Sequence, residues 1–350
     1  MSPLLIVFLS LGIALIAGTL AVLGKSVIVP LLIALIAVYV LNACVDWLQK
    51  RPVLRHVPRW GLHLAVLGAF VACLTLLGSV VAVTLEEMAD RVPAYQEKME
   101  ALIAKGAKVF DFYENTDWQD FREATMGRIN LSAILGYLFS SLTNIGTTLF
   151  LVILYVGFLL GEIGQVPEKV RLAFHATGRS DRFLGLITEI NRKVAEYLSV
   201  KTAINVVLGL LSLGVLWLFG VDFALFWALM IGLFNYIPYL GSWLGVAFPV
   251  LLSVAQFGDL GRTAALAAAL TVMQVFVGNV LEPRWIGRQL NLSPVAVLVA
   301  LSVWSSLWGL AGAILAVPLT SMMVIVFNAI PETRPIAILL SDLPGSRRRA

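Results

Sequence analysis

LTVMQVFVGNVLEPRWIGRQLNLSPVAVLVALSVWSSLWGLAGAILAVPLTSMMVIVF, from Leu270 to Phe327, is the stretch whose reading decides the fold. An apolar span ends in Asn279-Val280-Leu281-Glu282-Pro283-Arg284-Trp285-Ile286-Gly287-Arg288, and no Asp, Glu, Lys, Arg or His follows until Glu332. A straight membrane helix needs roughly 20 apolar residues, so this run is too long for one. It is also interrupted by Gly309, Gly312 and Pro318, residue types that weaken or break helices. A broken apolar segment beside a charged knot is how transporters build solute sites. Two geometries remain open, a re-entrant hairpin or one long tilted helix kinked at the proline.

The same pattern occurs upstream. Phe223 to Gly258 is a second overlong uncharged run, broken at Asn235-Tyr236-Ile237-Pro238-Tyr239-Leu240-Gly241, with Gly245 and Pro249 beyond. Gly241 and Gly245 before Pro249 parallel Gly309 and Gly312 before Pro318, and a full span precedes each segment. If both segments are hairpins, the two units have inverted topology, an inverted repeat in the C-terminal half.

Composition sets the class. The chain has 350 residues, 59% of them hydrophobic and 13% charged, where a soluble domain is about a quarter charged. The expectation is an all-α polytopic membrane protein with about six full spans plus the two broken segments, or eight spans in total. The net charge of +4 reads as membrane orientation and not as affinity for nucleic acid. Cys44 and Cys73 both fall in apolar spans, which excludes a disulfide framework or thiol metal site. There is no G-x-S-x-G, H-E-x-x-H or nucleotide-binding motif, so no enzyme, catalytic residue, metal or cofactor is expected. Gly24-Lys25-Ser26 reads as a hairpin turn, because Gly18 stands one residue too far upstream for a phosphate loop.

Residues 1–85 carry three transmembrane helices. Lys50, Arg51, Arg55 and Arg59 between the second and third place that loop, and with it the N-terminus, in the cytoplasm. Residues 86–128 form a polar insert with ten carboxylates against six bases, expected on the outer side. Met88, Val92, Tyr95, Met99 and Leu102 make a helical stripe starting near Pro93. That stripe can lie on the membrane, face a neighbouring subunit or dock on its own helices. Residues 129–161 hold the fourth span, and 162–201 form basic, cytoplasmic amphipathic helices. Residues 202–330 are the transport core and 331–350 a cytoplasmic tail ending in Arg347, Arg348 and Arg349.

Val29-Pro30-Leu31-Leu32-Ile33-Ala34, the Asn235 to Gly241 tip, Leu281-Glu282-Pro283-Arg284 with Gly287, and Trp308-Gly309-Leu310-Ala311-Gly312 through Val317-Pro318-Leu319 together resemble the autoinducer-2 exporter family, the PerM-like permeases. The resemblance covers nearly the whole chain. It implies a bacterial inner-membrane, multi-pass, homo-oligomeric permease, a pentamer, with the bilayer and a small molecule or ion as partners. Some relatives are assigned export of autoinducer-2 and others sodium(lithium)/proton antiport. Ser305-Ser306-Leu307-Trp308 departs from the smaller, glycine-containing pattern expected there, giving a bulkier tip.

Backbone released from a helix inside a membrane survives only where protein or water pairs it. The expected substrate-binding residues are therefore Asn235, Tyr236, Pro238, Tyr239 and Gly241 with Ser305, Ser306, Gly309 and Gly312. Their amide and hydroxyl groups suit a small uncharged, polyhydroxylated ligand, and the sequence reading has the two tips meeting near mid-membrane. Glu282 and Arg284 are the candidates for coupling to a proton or cation, or else form an interfacial ion pair. The expected function is export of a small polar molecule by alternating access, with antiport as the alternative. A non-transporting membrane scaffold is the alternative from another class.

Overall fold

The computed structural model describes residues 3–109, 131–174, 180–286 and 292–342, and among them every regular element is helical. Part of the polar insert (110–128), Gly287, Arg288 and the three terminal arginines lie outside the described residues. In chain order the helices are α1 (Pro3–Leu23), α2 (Lys25–Gln49), α3 (Arg59–Val109), α4 (Leu131–Glu162), α5 (Val166–Phe174), α6 (Ser180–Leu218), α7 (Ala224–Phe234), α8 (Leu240–Phe257) and α9 (Leu260–Phe276). A π-helical turn (Val277–Leu281) follows, then α10 (Glu282–Ile286), α11 (Pro294–Ala329) and α12 (Arg334–Leu340). Six of the described helices, α11 counted as a single one among them, are long and apolar enough to cross a membrane. The count is seven if α4 and α5, bent by 65° at their junction, make one span.

The chain divides into two compact units. One comprises Met1–Phe70, Thr148–Thr202 and Trp285–Ala350, the other Val71–Thr147 and Ala203–Arg284. The first is held by two apolar clusters. Ala34, Ala37, Val38 and Leu41 of α2 pack on Val152 and Val156 of α4. Tyr39 packs with Val194, Tyr197 and Leu198 of α6, Leu292 and Val317. Alanine and valine predominate in the first cluster, which lets the helix backbones approach closely.

α11 is two helices and not one. Gly309 has φ 61° and ψ −137°, outside any helical region, a conformation available to glycine because it lacks a Cβ. Val297 and Met322 pack against one cluster, although residues 25 apart along a straight helix would lie about 37 Å apart. The Trp304 indole Nε1 donates to Thr320 Oγ1 at 3.1 Å. A Cβ on Gly312 would stand 1.8 Å from the Trp304 carbonyl oxygen. The segment folds back on itself as a hairpin, closed where glycine lets backbone touch backbone.

The second unit holds the other hairpin, α7 and α8. A Cβ on Gly241 would meet the Phe234 carbonyl oxygen at 1.8 Å, the same device at the same place. With 11 residues, α7 is about 16 Å long, too short to cross a hydrocarbon core of about 30 Å by itself. Below the tip, Gly245 sits against Ile231, which keeps the legs close.

The insert differs from its sequence reading at one point. No helix starts at Pro93, because α3 runs unbroken through it. An interior proline forfeits one backbone hydrogen bond and strains the turn before it. Here the turns on either side of it are anchored along one face. Arg91 pairs with Asp222 at 3.0 Å, the Tyr95 hydroxyl donates to Asp222 at 2.8 Å, and Lys98 donates to the Gln256 carbonyl at 2.8 Å. Of the stripe residues, Tyr95 is buried and docks on its own unit through Asp222.

Candidate functional site

The tip of the first hairpin begins where α7 ends at Phe234. Asn235 is buried, and its amide is held on both sides. Its Nδ2 donates to Asn205 Oδ1 of α6 at 2.8 Å, and its Oδ1 accepts from Gln274 Nε2 of α9 at 3.1 Å. All three residues are over nine-tenths buried. Close packing of α6 on α7 makes this possible. A Cβ on Gly232 would lie 3.0 Å from the Asn205 carbonyl oxygen, and one on Gly209 would lie 3.3 Å from the Ala228 carbonyl oxygen. Small residues at the crossing thus bring Asn205 within reach of the tip.

Beyond Asn235 the chain turns sharply. Tyr239 has φ 62° and ψ −56°, and the Leu240 amide donates to the Pro238 carbonyl at 2.7 Å. That is a γ-turn of the positive-φ kind, a rare and strained conformation for a residue with a side chain. It leaves the Tyr239 side chain exposed while Gly241 is buried against Phe234. Tyr236 and Pro238 are half-buried. The first five predicted residues therefore form one continuous tip, with the amide inward and the Tyr239 phenol outward.

The second tip belongs to the other unit. Ser305 and Ser306 donate their hydroxyls to the Ser302 carbonyl at 3.2 and 2.7 Å. Each oxygen keeps acceptor capacity but has committed its proton to the helix. Trp304 and Trp308 lie with ring centroids 5.0 Å apart. The Trp308 indole donates to the Ala21 carbonyl at 2.9 Å, pairing a carbonyl of the last turn of α1 that has no partner within its helix. The bulkier tip read from the sequence is thus tied to α1. Gly309 is exposed and Gly312 buried. The structure assembles each tip separately.

Glu282 follows directly on the π turn. Its amide reaches back five residues to the Val277 carbonyl, just before Pro283, which has no amide hydrogen to continue the α-helical register. Glu282 is half-buried and Arg284 exposed. Two residues apart on a helix, they do not share a face, which argues against their pairing with each other. No group of three or more His, Cys, Asp or Glu that could hold a metal occurs among the described residues. His63 instead shares a hydrogen bond with Asn42 at 2.9 Å.

Sequence reading missed Asn205 and Gln274. Each is a lone amide in an otherwise apolar helix stretch, and that isolation was the available signal, since polar side chains inside membrane helices face protein or water.

The chain matches the model of the AI-2E family transporter over residues 4–332. It is 30% identical to the AI-2 transport protein TqsA of Escherichia coli (strain K12) over 336 residues, 91% of each chain. It is 29% identical to YhhT of the same strain over 331 residues, 92% of each chain. It is 25% identical to YrrI of Bacillus subtilis (strain 168) over 307 residues, 85% of each chain. All three carry names that describe transport proteins.

Proposed function

The chain belongs to the AI-2E transporter family, and from that premise we propose that this multi-pass membrane protein is a permease for a small neutral polar solute, working by alternating access. The observation that carries the reading is the first hairpin. It is a glycine-closed element with one leg of about 16 Å, too short to span, ending in a polar tip. Asn235, Tyr236, Pro238, Tyr239 and Gly241, with Ser305, Ser306, Gly309 and Gly312 on the second hairpin, are proposed to handle the solute. Their side chains offer amides and hydroxyls and no net charge, which suits hydroxyl-bearing solutes better than ions. The name of the relative TqsA makes AI-2 one solute to try, with export as the direction to test.

The Lys50 to Arg59 loop is proposed to face the cytoplasm of a bacterial cell, with both termini on that side of the inner membrane. The working form is proposed to be a homo-oligomer. Antiport of sodium or lithium against protons is the second reading, favoured by the π turn that sets Glu282 at the end of its span, since such turns recur at functional sites.

Flux into proteoliposomes separates the two. Xylitol and erythritol should equilibrate faster than in protein-free vesicles, without a requirement for sodium or a pH gradient. Glu282→Gln should leave that flux unchanged. Sodium- or lithium-driven proton movement abolished by Glu282→Gln, with no polyol flux, would establish the antiporter instead.

A further inference from the structure

We infer that Asn205, Asn235 and Gln274 form an amide relay whose two free ends recognise hydroxyl groups of the permeant, and that Asn205 and Gln274 are solute-binding and specificity-determining residues. This rests on the permease reading. Within one unit, Gln274 Nε2 donates to Asn235 Oδ1 and Asn235 Nδ2 donates to Asn205 Oδ1. The relay then stops at both ends. Asn205 Nδ2 and Gln274 Oε1 are fully buried and have no hydrogen-bond partner among the described residues.

A chain of three amides linked head to tail always leaves an NH2 group at one end and a carbonyl oxygen at the other wholly without a hydrogen bond. Turning all three amides round keeps both internal hydrogen bonds and only exchanges which end donates. The leftover pair is therefore a property of the arrangement and not of any one amide's orientation. Buried polar atoms in apolar surroundings are costly unless something pairs them. A hydroxyl group matches both ends, because its oxygen accepts from Asn205 and its hydrogen donates to Gln274.

The same accounting disfavours a cation. Asn205 Oδ1 and Asn235 Oδ1 already accept amide hydrogens, which leaves Gln274 Oε1 as the one uncommitted oxygen of the relay. Hard cations take about six oxygen ligands. No charged side chain belongs to the relay, so an anion gains only uncharged N–H donors and no compensating positive charge. The relay thus selects neutral hydroxyl-bearing solutes and rejects ions.

The experiment uses the full-length protein with xylitol as the probe, measuring thermal stability in detergent and flux in proteoliposomes at pH 8. Asn205→Asp keeps an oxygen to hold Asn235 but replaces the free donor; Gln274→Met removes, at similar volume, the free acceptor together with the hydrogen bond to Asn235 Oδ1. Xylitol should raise the melting temperature of the wild type and not that of either variant, while sodium and lithium chloride should give no specific shift. Each variant should need at least tenfold more xylitol for half-maximal flux, with maximal flux less affected.

Unchanged half-saturation in folded variants would overturn the relay and leave the permease standing. Wild-type flux without a xylitol-dependent thermal shift would mean water satisfies the free ends, again overturning it. Failure of both variants to fold would make the relay a packing device. Wild-type vesicles that move no polyol would sink the permease reading, and the relay with it.

Discussion

At the scale of single residues, two glycines are fixed by contact. Gly241 and Gly312 each face a carbonyl oxygen that an added Cβ would approach to 1.8 Å, far inside van der Waals contact. Alanine at either position forces the legs apart, at a cost of about 3 kcal/mol or more, the upper end of overpacking penalties. Gly214 has nothing within 4 Å of its would-be Cβ, so alanine there should be neutral or mildly stabilising. The yield of monodisperse protein and its melting temperature should both fall for Gly241→Ala and Gly312→Ala and hold for Gly214→Ala. The glycines at these turns were legible in the sequence because each sits in an apolar run with proline downstream. The Tyr239 turn was not, since tyrosine carries no signal for positive φ. Asn205 and Gln274 were missed for another reason: which way three helices turn their faces is decided by packing, here by Gly209 and Gly232.

At the scale of elements, the extension of α3 past the membrane-length segment is held by a small polar cluster. Asp222 accepts from Tyr95 and pairs with Arg91, and its backbone amide donates to Gln256 Oε1 at 2.8 Å. Gln256 Nε2 in turn donates to the Gly220 carbonyl at 2.8 Å. The Arg91 side chain is about half exposed, so the ion pair is screened and contributes little. The tyrosine hydrogen bond contributes more, because the Tyr95 side chain is buried. Asp222→Ala should therefore cost about 1–2 kcal/mol, lowering the melting temperature and speeding proteolysis between Glu86 and Val109. Polyol flux should persist, since the cluster is distinct from the proposed solute residues. The helical stripe itself was readable from the spacing of Met88, Val92, Tyr95, Met99 and Leu102. Its continuity through Pro93 was not, because the compensating anchors Asp222 and Gln256 lie more than a hundred residues away in sequence.

At the scale of the whole molecule, an all-helical polytopic membrane protein followed from uncharged runs and sparse charge, features that depend on the bilayer and not on tertiary detail. A kinked span and a hairpin look alike in sequence, because Gly309 and Pro318 are compatible with either. In the proposed permease the tip of the first hairpin meets the solute. Tyr239, the exposed residue of that tip with a polar side chain, offers the test. Tyr239→Cys, in a chain where Cys44 and Cys73 are replaced by serine, would be reacted with a small membrane-impermeant thiol reagent in sealed vesicles with and without xylitol. The thiol should react from water, and xylitol should slow the reaction at least threefold. A thiol that no aqueous reagent reaches, or one that reacts at the same rate whether or not solute is present, would contradict a tip that meets the solute.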